Sequence, residues 1–288
     1  MQEPTPMGHE YCGYVEEFGS AVRSVKKGQF VVGSFAMSDN TCPHCKFGYQ
    51  SSCQQREWVT RAQAPYMRVA LADGTLVPTS GLPSNEMLPN LLAASDVLGT
   101  GWFAADAANV KEGSTVVVVG DGAVGLLGVL SAKQMGAERI IAMSRRETRQ
   151  KLAREFGATD IVSERGDAGI ARIKELTKGI GADSVLECVG TQEAMQQAIQ
   201  STRPGGFVSY VGVPHGVQFD AQPLFFSHVH VHGGPAPVRR YLPKLMDMIL
   251  NGTIQPGKVF DLELPLEKVA EGYAAMDERR AIKTLLRP

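Results

Sequence analysis

Three of the five cysteines in this 288-residue chain are clustered, and their spacing is that of metal ligands. Cys42, Cys45 and Cys53 follow one another as C-x2-C-x7-C. Clustered thiols of this kind are typical of metal chemistry in a reducing compartment rather than of a disulfide framework. The cysteines therefore indicate a metal site and a cytoplasmic location.

A second chemical signature is a glycine-rich turn between an apolar strand and an apolar helix. Thr115–Val119 predicts a strand buried on both faces, and an apolar helix continues to about Met135. The turn between them reads Gly120-Asp121-Gly122-Ala123-Val124-Gly125, a G-x-G-x-x-G dinucleotide fingerprint. Gly120 allows the tight turn, Gly122 lets the backbone approach a pyrophosphate, and Gly125 lets helix and strand pack closely. N–H groups at the helix start, those of Ala123 and Val124 included, then face the phosphates.

The elements that must position this turn alternate along the chain, which predicts an α/β fold with a doubly wound parallel sheet. After Thr115–Val119, strands are expected at Arg139–Met143, Asp160–Val162, Ser184–Val189, Phe207–Val211 and Val229–His232. Helices are expected between them at Arg149–Phe156, Ile170–Thr177 and Gln192–Ser201. The chain should end with a helix at Tyr241–Leu250, a strand near Lys258–Leu262 and a helix at Leu266–Met276.

The segment before the glycine-rich turn has a different character. Up to about Pro89 it is rich in glycine and proline, and its short apolar runs are Tyr14–Val15, Phe30–Phe35 and Met67–Leu71. This pattern predicts a β-rich region with long loops. From about Leu91 to Ala108, apolar residues recur at helical spacing.

Several motifs occur in a specific order: Gly8-His9-Glu10-Tyr11-Cys12-Gly13, the cysteine-bearing loop, Asp96 before Gly99-Thr100-Gly101, and the glycine-rich turn. In these motifs the chain resembles the zinc-containing medium-chain alcohol dehydrogenases, over nearly its whole length. The resemblance implies a Rossmann domain at 98–231 and a β-rich GroES-like catalytic domain made of 1–97 and 232–288, with the active site in the cleft between them. The implied reaction interconverts an alcohol and an aldehyde or ketone by hydride transfer with a nicotinamide cofactor.

The same resemblance implies a catalytic zinc site. His9 would be a ligand, Glu10 its neighbour or an alternating ligand, and Asp96 the third ligand, while Thr100 would pack against the nicotinamide. In the family a further cysteine ligand comes from a strand upstream, but none of the eight residues before His9 is Cys, Ser or His, and Thr5 is the one hydroxyl. We therefore expect an N-terminally short form with an incomplete zinc site and impaired turnover.

The resemblance also gives an interpretation of the cysteines. The family holds a structural zinc through four cysteines at C-x2-C-x2-C-x7-C, and here Asp39 stands in the first position, before Cys42, Cys45 and Cys53. Because Asp is an acceptable oxygen ligand for zinc, a Cys3Asp site is expected, with a metal-free loop as the alternative. Cys12 lies where the family has an apolar residue and is interpreted as a buried structural thiol.

The residues after the second predicted strand bear on cofactor choice. An Asp or Glu about twenty residues after the fingerprint would bind the ribose 2′-hydroxyl of NAD. This chain instead has Ser144, Arg145 and Arg146, whose guanidinium groups could bind a 2′-phosphate, so NADP is expected, with NAD possible. Lys283 aligns with a basic family residue near the pyrophosphate.

Charge and patterning limit the partners. The net charge of −1 gives no electrostatic basis for binding nucleic acid or an anionic membrane. The expected partners are a small alcohol, aldehyde or ketone and further copies of the chain, in a dimer or tetramer. His228, His230 and His232 alternate along a predicted strand, which we interpret as lying at a subunit contact.

Two other functions stay open. A zinc-free quinone or enone reductase of the same superfamily would lack the cysteine loop, so Cys42, Cys45 and Cys53 argue against it. A non-catalytic dinucleotide-binding protein would need no complete zinc site. Activity measured with and without added Zn²⁺ distinguishes the three functions.

Overall fold

The computed structural model describes residues 6–288, so Thr5 lies outside the described residues. The chain divides into two compact units. One unit combines the chain up to Gly99 with Pro237–Pro288, and the other consists of Thr100–Ala236. These divisions lie close to the boundaries expected from the sequence, 97/98 and 231/232, and in both cases one unit is inserted between two parts of the other.

The first part of the first unit consists of short strands and helices joined by loops. In chain order these are β1 (Cys12–Tyr14), β2 (Phe30–Gly33), β3 (Ala36–Met37), α1 (Pro43–Lys46), β4 (Glu57–Trp58), α2 (Ala72–Thr75), β5 (Leu76–Pro78), α3 (Leu88–Ala94) and α4 (Val97–Ala107), which continues into the second unit. Strands β1, β2 and β5 form an antiparallel sheet with β2 in the middle. Its apolar side chains, Val31 and Leu76 among them, pack with Tyr11, Val15 and Met37 into a core.

The second unit is a six-stranded parallel sheet with intervening helices. Its elements are β6 (Thr115–Val119), α5 (Ala123–Gln134), β7 (Arg139–Met143), α6 (Glu147–Phe156), β8 (Asp160–Val162), α7 (Gly166–Leu176), β9 (Ala182–Glu187), α8 (Gln192–Ser201), β10 (Thr202–Tyr210), α9 (Ala221–Ser227) and β11 (His230–Gly233). The strand order is β11-β10-β9-β6-β7-β8, with every neighbouring pair parallel. The fold class predicted from the alternating pattern is confirmed.

The chain returns to the first unit for its last elements. These are α10 (Val238–Leu250), β12 (Phe260–Pro265), α11 (Val269–Asp277) and β13 (Lys283–Arg287). Strands β12 and β13 pair in parallel, and α11 lies between them in the chain. This pairing carries Lys283, the first residue of β13, into the first unit.

Central strand β6 shows why the valine run forms the middle of the sheet. Val116, Val117 and Val118 are completely buried, and Val119 is nearly so. β-Branched side chains suit a strand covered on both faces, because they pack well on the pleated surface. Helix α4 approaches α5 closely at Gly101, where an added Cβ would lie 2.7 Å from the backbone of Leu127 and Gly128. Glycine at position 101 therefore lets α4 pack directly against the backbone of α5, the helix that follows the glycine-rich turn.

Several sequence-based elements differ from the structure. The apolar run Met67–Leu71 was expected to add to the β-rich region, but it forms no strand. Its residues Met67, Val69 and Ala70 pack against the core from a loop. The next strand is β5. The helical spacing from Leu91 to Ala108 is divided between α3 and α4. The strand predicted near Lys258–Leu262 begins later, at Phe260, because a 3-10 turn occupies Pro256–Val259. Strand β13 and helix α9 were not predicted.

Candidate metal centres and dinucleotide site

His9, Glu10 and Asp96, together called the His9 cluster, converge in the first unit. One donor atom from each lies within 4.8 Å of the others. His9 Nε2 and Asp96 Oδ2 are 2.9 Å apart, although the residues are 87 positions apart in the chain. The structure therefore brings together the three residues that the resemblance assigns to the catalytic zinc.

The backbone before His9 is held by an unusual conformation at Gly8. This glycine has a φ of +87°, and an added Cβ would lie 2.6 Å from Cγ of Gln63. The neighbouring chain is fixed by hydrogen bonds from the N–H of Ala62 to the carbonyl of Gly8 and from the N–H of Gln63 to that of Met7. A residue with a side chain would be strained at Gly8, so glycine is required where the chain presents His9.

Glu10 is paired with a lysine that the sequence places 273 residues later. Its Oε1 lies 2.6 Å from Nζ of Lys283, and both side chains are more than four-fifths buried. Burial raises the pKa of Glu10, and the charge of Lys283 opposes the rise. Burial works against the charge of Lys283, but the pairing with Glu10 prevails and the pKa of this lysine is raised. The other oxygen of Glu10, Oε2, is buried and has no hydrogen-bond partner among the described residues.

The imidazole of His9 is half exposed, and Asp96 determines its electrostatic state. The hydrogen bond to Asp96 raises the pKa of His9, while partial burial opposes the rise. One imidazole nitrogen and two carboxylates form a donor set that zinc accepts, and a catalytic zinc has three protein ligands and an open position. The unpartnered Oε2 of Glu10 is the available third donor. The residues present therefore fit a catalytic zinc ion.

Asp39, Cys42, Cys45 and Cys53, together called the cysteine loop, form a second cluster in the first unit. Their donor atoms all lie within 4.8 Å of one another, and Sγ of Cys42 is 3.9 Å from Sγ of Cys53. Helix α1 begins directly after Cys42 and brings Cys45 inward, where it is buried. The loop is therefore closed around a common centre, as the spacing predicts.

Backbone N–H groups support the negative charges of the cysteine loop. Oδ1 of Asp39 accepts hydrogen bonds from the N–H groups of Thr41 at 2.8 Å and Cys42 at 3.0 Å. These two bonds lower the pKa of Asp39 to about 2. Sγ of Cys53 accepts from the N–H groups of Asp39 and Gln55, each at 3.4 Å. Three thiolates and one carboxylate in this arrangement fit a tetrahedral structural zinc ion.

Replacing one thiol should show whether the cysteine loop holds a metal. We expect Cys45→Ser to lose about one equivalent of zinc per chain relative to the unmodified protein, because a structural site needs all four ligands. Metal analysis after gel filtration measures this loss. Cys188→Ser makes the same chemical change in the second unit and should keep the metal. Equal zinc content in both variants would mean that the loop binds none.

The glycine-rich turn has the geometry of a phosphate-binding turn. Gly120 has a φ of +114°, and a Cβ on Gly125 would lie 2.1 Å from the carbonyl oxygen of Gly120. Gly122 precedes α5 and accepts its first hydrogen bond, from the N–H of Leu126 at 2.9 Å. Ala123 and Val124, the first residues of α5, are partly exposed. Gly120 and Gly125 therefore meet structural requirements of the turn, Gly122 leaves open space, and the helix start is open to a ligand.

The end of β7 presents the predicted cofactor-selecting residues. Arg145 and Arg146 are exposed, whereas Ser144 is completely buried and its Oγ donates a hydrogen bond to Oδ2 of Asp121 at 2.7 Å. Asp121 also lies 3.2 Å from Nη1 of Arg149, through both its carboxylate and its carbonyl. Sequence reasoning did not predict the Asp121–Arg149 ion pair, because Asp121 occupies a variable position of the fingerprint. The pair neutralises the carboxylate of Asp121, which also accepts the hydrogen bond of Ser144 at the end of β7.

Thr100 and Glu187 lie in other parts of the second unit. Thr100 is buried in α4, and its predicted contact with the nicotinamide stays a prediction. Glu187, at the end of β9, is completely buried and was not predicted. Its Oε1 accepts hydrogen bonds from the N–H groups of Val189 at 2.7 Å and Gly190 at 2.8 Å. Burial raises its pKa, and these two bonds oppose the rise. Glu187 thus fixes the chain that follows β9 beside Gly120.

The remaining candidate residues lie outside these clusters. Cys12 is partly buried in β1, and burial raises the pKa of its thiol to about 12. Its structural role stays a prediction. His230 and His232 share the exposed face of the edge strand β11, where His230 stacks on Phe207. His228 precedes that strand in a left-handed conformation, so the predicted start of the strand was too early. Among the described residues, no helix has the length and apolar character needed to cross a membrane.

Comparison with known proteins identifies the family of this chain. Residues 1–89 match the family described as the alcohol dehydrogenase GroES-like domain, and residues 123–251 match the zinc-binding dehydrogenase family. Zinc-type alcohol dehydrogenase B of Aspergillus flavus is 32% identical over 295 residues, covering 98% of this chain and 68% of that protein. The NADP-dependent isopropanol dehydrogenase of Clostridium beijerinckii is 31% identical over 268 residues, covering 88% of this chain and 75% of that protein.

The similarity extends to solved structures. Alcohol dehydrogenase TADH from Thermus sp. ATN1 superposes with a TM-score of 0.88 at 30% identity, covering 97% of this chain and 83% of that one. The chain belongs to the zinc-containing alcohol dehydrogenase family of the medium-chain dehydrogenases and reductases. It is a zinc-dependent alcohol oxidoreductase that uses a nicotinamide cofactor, and the sequence-based predictions of family, fold and reaction class are confirmed.

Proposed function

We propose that this protein catalyses the reversible oxidation of a small alcohol to an aldehyde or ketone with NADP(H), through zinc held by His9, Glu10 and Asp96. The observation that carries this proposal is the convergence of one nitrogen and two carboxylate donors within 4.8 Å. Donors of this type and number suit a catalytic zinc with an open position for substrate. The cysteine loop, a separate cluster in the same unit, would hold the structural zinc.

Each residue of the His9 cluster has a separate task in this proposal. His9 Nε2 and Asp96 Oδ2 lie 2.9 Å apart, and both atoms would become zinc ligands, so that the metal would replace the hydrogen bond between them. Lys283 places a positive charge beside Glu10, which compensates the burial of this carboxylate in the cluster. Bound zinc would polarise the alcohol or carbonyl oxygen of the substrate during hydride transfer. Thr100 would contact the nicotinamide.

The cofactor assignment rests on charge at the end of β7. Arg145 and Arg146 are exposed and could bind a phosphate, and the nearby carboxylate of Asp121 is already paired with Arg149. An NAD-specific site would instead present a free carboxylate to the ribose hydroxyl. The relative from Clostridium beijerinckii is named for its dependence on NADP, which supports the same choice. NADP(H) is therefore the proposed cofactor, and NAD(H) the weaker one.

We also propose a homo-oligomer, a dimer or tetramer, in the cytoplasm. In the second unit the apolar side chains of Val213, Phe219, Phe225 and Phe226 are exposed, and β11 is an edge strand of the sheet. Exposed apolar side chains next to a strand edge are typical of a surface that associates. The free thiols, with no disulfide among the described cysteines, agree with a reducing compartment.

The test is an assay of primary and secondary alcohols with NADP⁺ and NAD⁺, before and after chelation and zinc readdition. Because Glu10 supplies a third donor, we expect zinc-dependent turnover in place of the impaired turnover expected from the sequence. This turnover should be faster at limiting NADP⁺ than at equal NAD⁺. Turnover that survives complete chelation would favour the zinc-free reductase, and dinucleotide binding without turnover would favour a non-catalytic protein. Light scattering on the same preparation measures the oligomeric state.

A further inference from the structure

A fourth guanidinium group reaches the end of β7 from a neighbouring strand. Met143 pairs with Val162 across β7 and β8, so the residues after β8 lie beside those after β7. Arg165 is the N-cap residue of α7, three positions beyond Val162. Its Nη2 donates a hydrogen bond to the carbonyl oxygen of Met143 at 3.1 Å, and its Nη1 donates to the carbonyl oxygen of Glu164 at 3.1 Å. The guanidinium group of Arg165 is therefore held beside the carbonyl of Met143, the residue directly before Ser144 and Arg145.

The positive charge of Arg165 is not balanced locally. No carboxylate lies within ion-pair distance of its guanidinium among residues 6–288, although the side chain is partly buried. Burial lowers the pKa of Arg165, and the nearby charge of Arg145 lowers it further. The carboxylate of Asp121 acts in the opposite direction, but it is already paired with Arg149. Two arginines from different strands thus share a region that favours an anion.

Ser144 contributes less to this region than its position in the sequence indicates. Its hydroxyl proton is directed to Asp121 at 2.7 Å, and the residue is completely buried. A phosphate dianion needs donors, and guanidinium groups provide them as planar pairs of N–H groups. Among the described residues, Arg145, Arg146 and Arg165 combine a positive charge at this sheet edge with the absence of an acidic partner, and Arg165 is the partly buried one, held by its hydrogen bond to Met143.

We propose that Arg165, together with Arg145, binds the 2′-phosphate of NADP(H) and determines the preference for NADP(H) over NAD(H). The inference rests on the proposed NADP(H) dependence and assigns the residue that produces it. The nucleotide extends from the glycine-rich turn along the ends of β6 and β7, as in other folds of this class. Its adenosine ribose then lies beside Asp121, and a 2′-substituent is directed at Arg145 and Arg165.

The experiment compares Arg165→Met and Arg145→Met with Arg154→Met, which removes the same charge from an exposed position in the last turn of α6. Affinities for NADPH, NADH, 2′-AMP and 5′-AMP are measured by fluorescence or calorimetric titration. We expect Arg165→Met to weaken NADPH and 2′-AMP by about 10- to 100-fold, as for loss of a charge-assisted bond. NADH and 5′-AMP should change by less than about threefold, and Arg154→Met should behave as the unmodified protein.

The outcomes separate this inference from the proposed function. If the unmodified protein does not prefer NADPH to NADH, the proposed cofactor is wrong. If it prefers NADPH and Arg165→Met keeps that preference, the inference about Arg165 is overturned while the proposed function stands. Equal weakening of NADPH and NADH would show that Arg165 only supports the backbone at Met143. Arg165→Lys keeps the positive charge but lacks the planar pair of N–H donors. It should bind NADPH more weakly and NADH unchanged, and it provides the test if Arg165→Met is unstable.

Discussion

His9→Ala is expected to lower kcat/KM for alcohol oxidation by at least about a hundredfold and to release the zinc of the His9 cluster. The imidazole supplies the only nitrogen donor of this cluster, and Asp96 and Glu10 alone leave two oxygens for the metal. Losses of residues that only support a ligand already cost about 10- to 100-fold in metal affinity or activity, so loss of a ligand should cost more. Zinc content after dialysis against a weak chelator, together with steady-state kinetics, measures both effects.

Two comparisons make this prediction specific. His215→Ala removes an exposed histidine of the second unit, outside both metal clusters, and should leave zinc content and kinetics unchanged. NADPH affinity should be unchanged in His9→Ala, because the glycine-rich turn and the end of β7 lie in the other unit. Retention of a full zinc complement and of turnover by His9→Ala would show that the metal is held by other residues. Metal analysis still gives an answer if the unmodified protein turns over slowly.

The parts of the site that the sequence reveals are those formed by residues close together in the chain. The cysteine loop closes within one short segment, so the spacing of Cys42, Cys45 and Cys53 already implies its geometry. The glycine-rich turn is likewise local, because a buried strand, a turn and a helix follow one another directly. In both cases residue type and spacing together determine which atoms converge.

Contacts between distant residues could not be derived in this way. His9 and Asp96 meet across 87 positions, and the resemblance to a family predicted the pair where spacing alone did not. The pairing of Glu10 with Lys283 depends on β13, a short strand in which only Leu285 is buried and which therefore has no clear periodic pattern. The resemblance placed Lys283 near the pyrophosphate, and that role stays a prediction. The contact observed for this lysine is with Glu10.

Neighbouring strands explain why Asp121, Arg149 and Arg165 were also missed. Asp121 lies after β6, Arg149 in the first half of α6, and Arg165 after β8, so they meet because three parallel strands end at the same edge. A usable signal did exist. Once Asp160–Val162 is taken as the strand beside Arg139–Met143, charged residues within three positions of its end are candidates for the same edge. Arg165 satisfies that condition.

Gly122→Ala and Gly125→Ala are expected to separate two reasons for glycine in the dinucleotide fingerprint. At Gly122 an added Cβ would meet no atom within 4 Å, and the φ of −74° suits any residue. Gly122→Ala should therefore change the free energy of unfolding by less than about 1 kcal/mol. Its methyl group would nevertheless stand where the backbone must approach the pyrophosphate, so affinity for NADPH and NADH should fall together, by about tenfold or more.

Gly125→Ala should instead destabilise the second unit itself. The new Cβ would lie 2.1 Å from the carbonyl oxygen and 2.8 Å from the carbonyl carbon of Gly120, and backbone atoms cannot move aside as the end of a flexible side chain can. Overpacking of this kind costs about 1–3 kcal/mol or more, and relief of the clash would displace the turn that binds the phosphates. Chemical denaturation and titration with both dinucleotides measure stability and binding in each variant. Unchanged dinucleotide affinity in a stable Gly122→Ala would show that the pyrophosphate does not approach this turn, since the structure offers no other reason for glycine at that position.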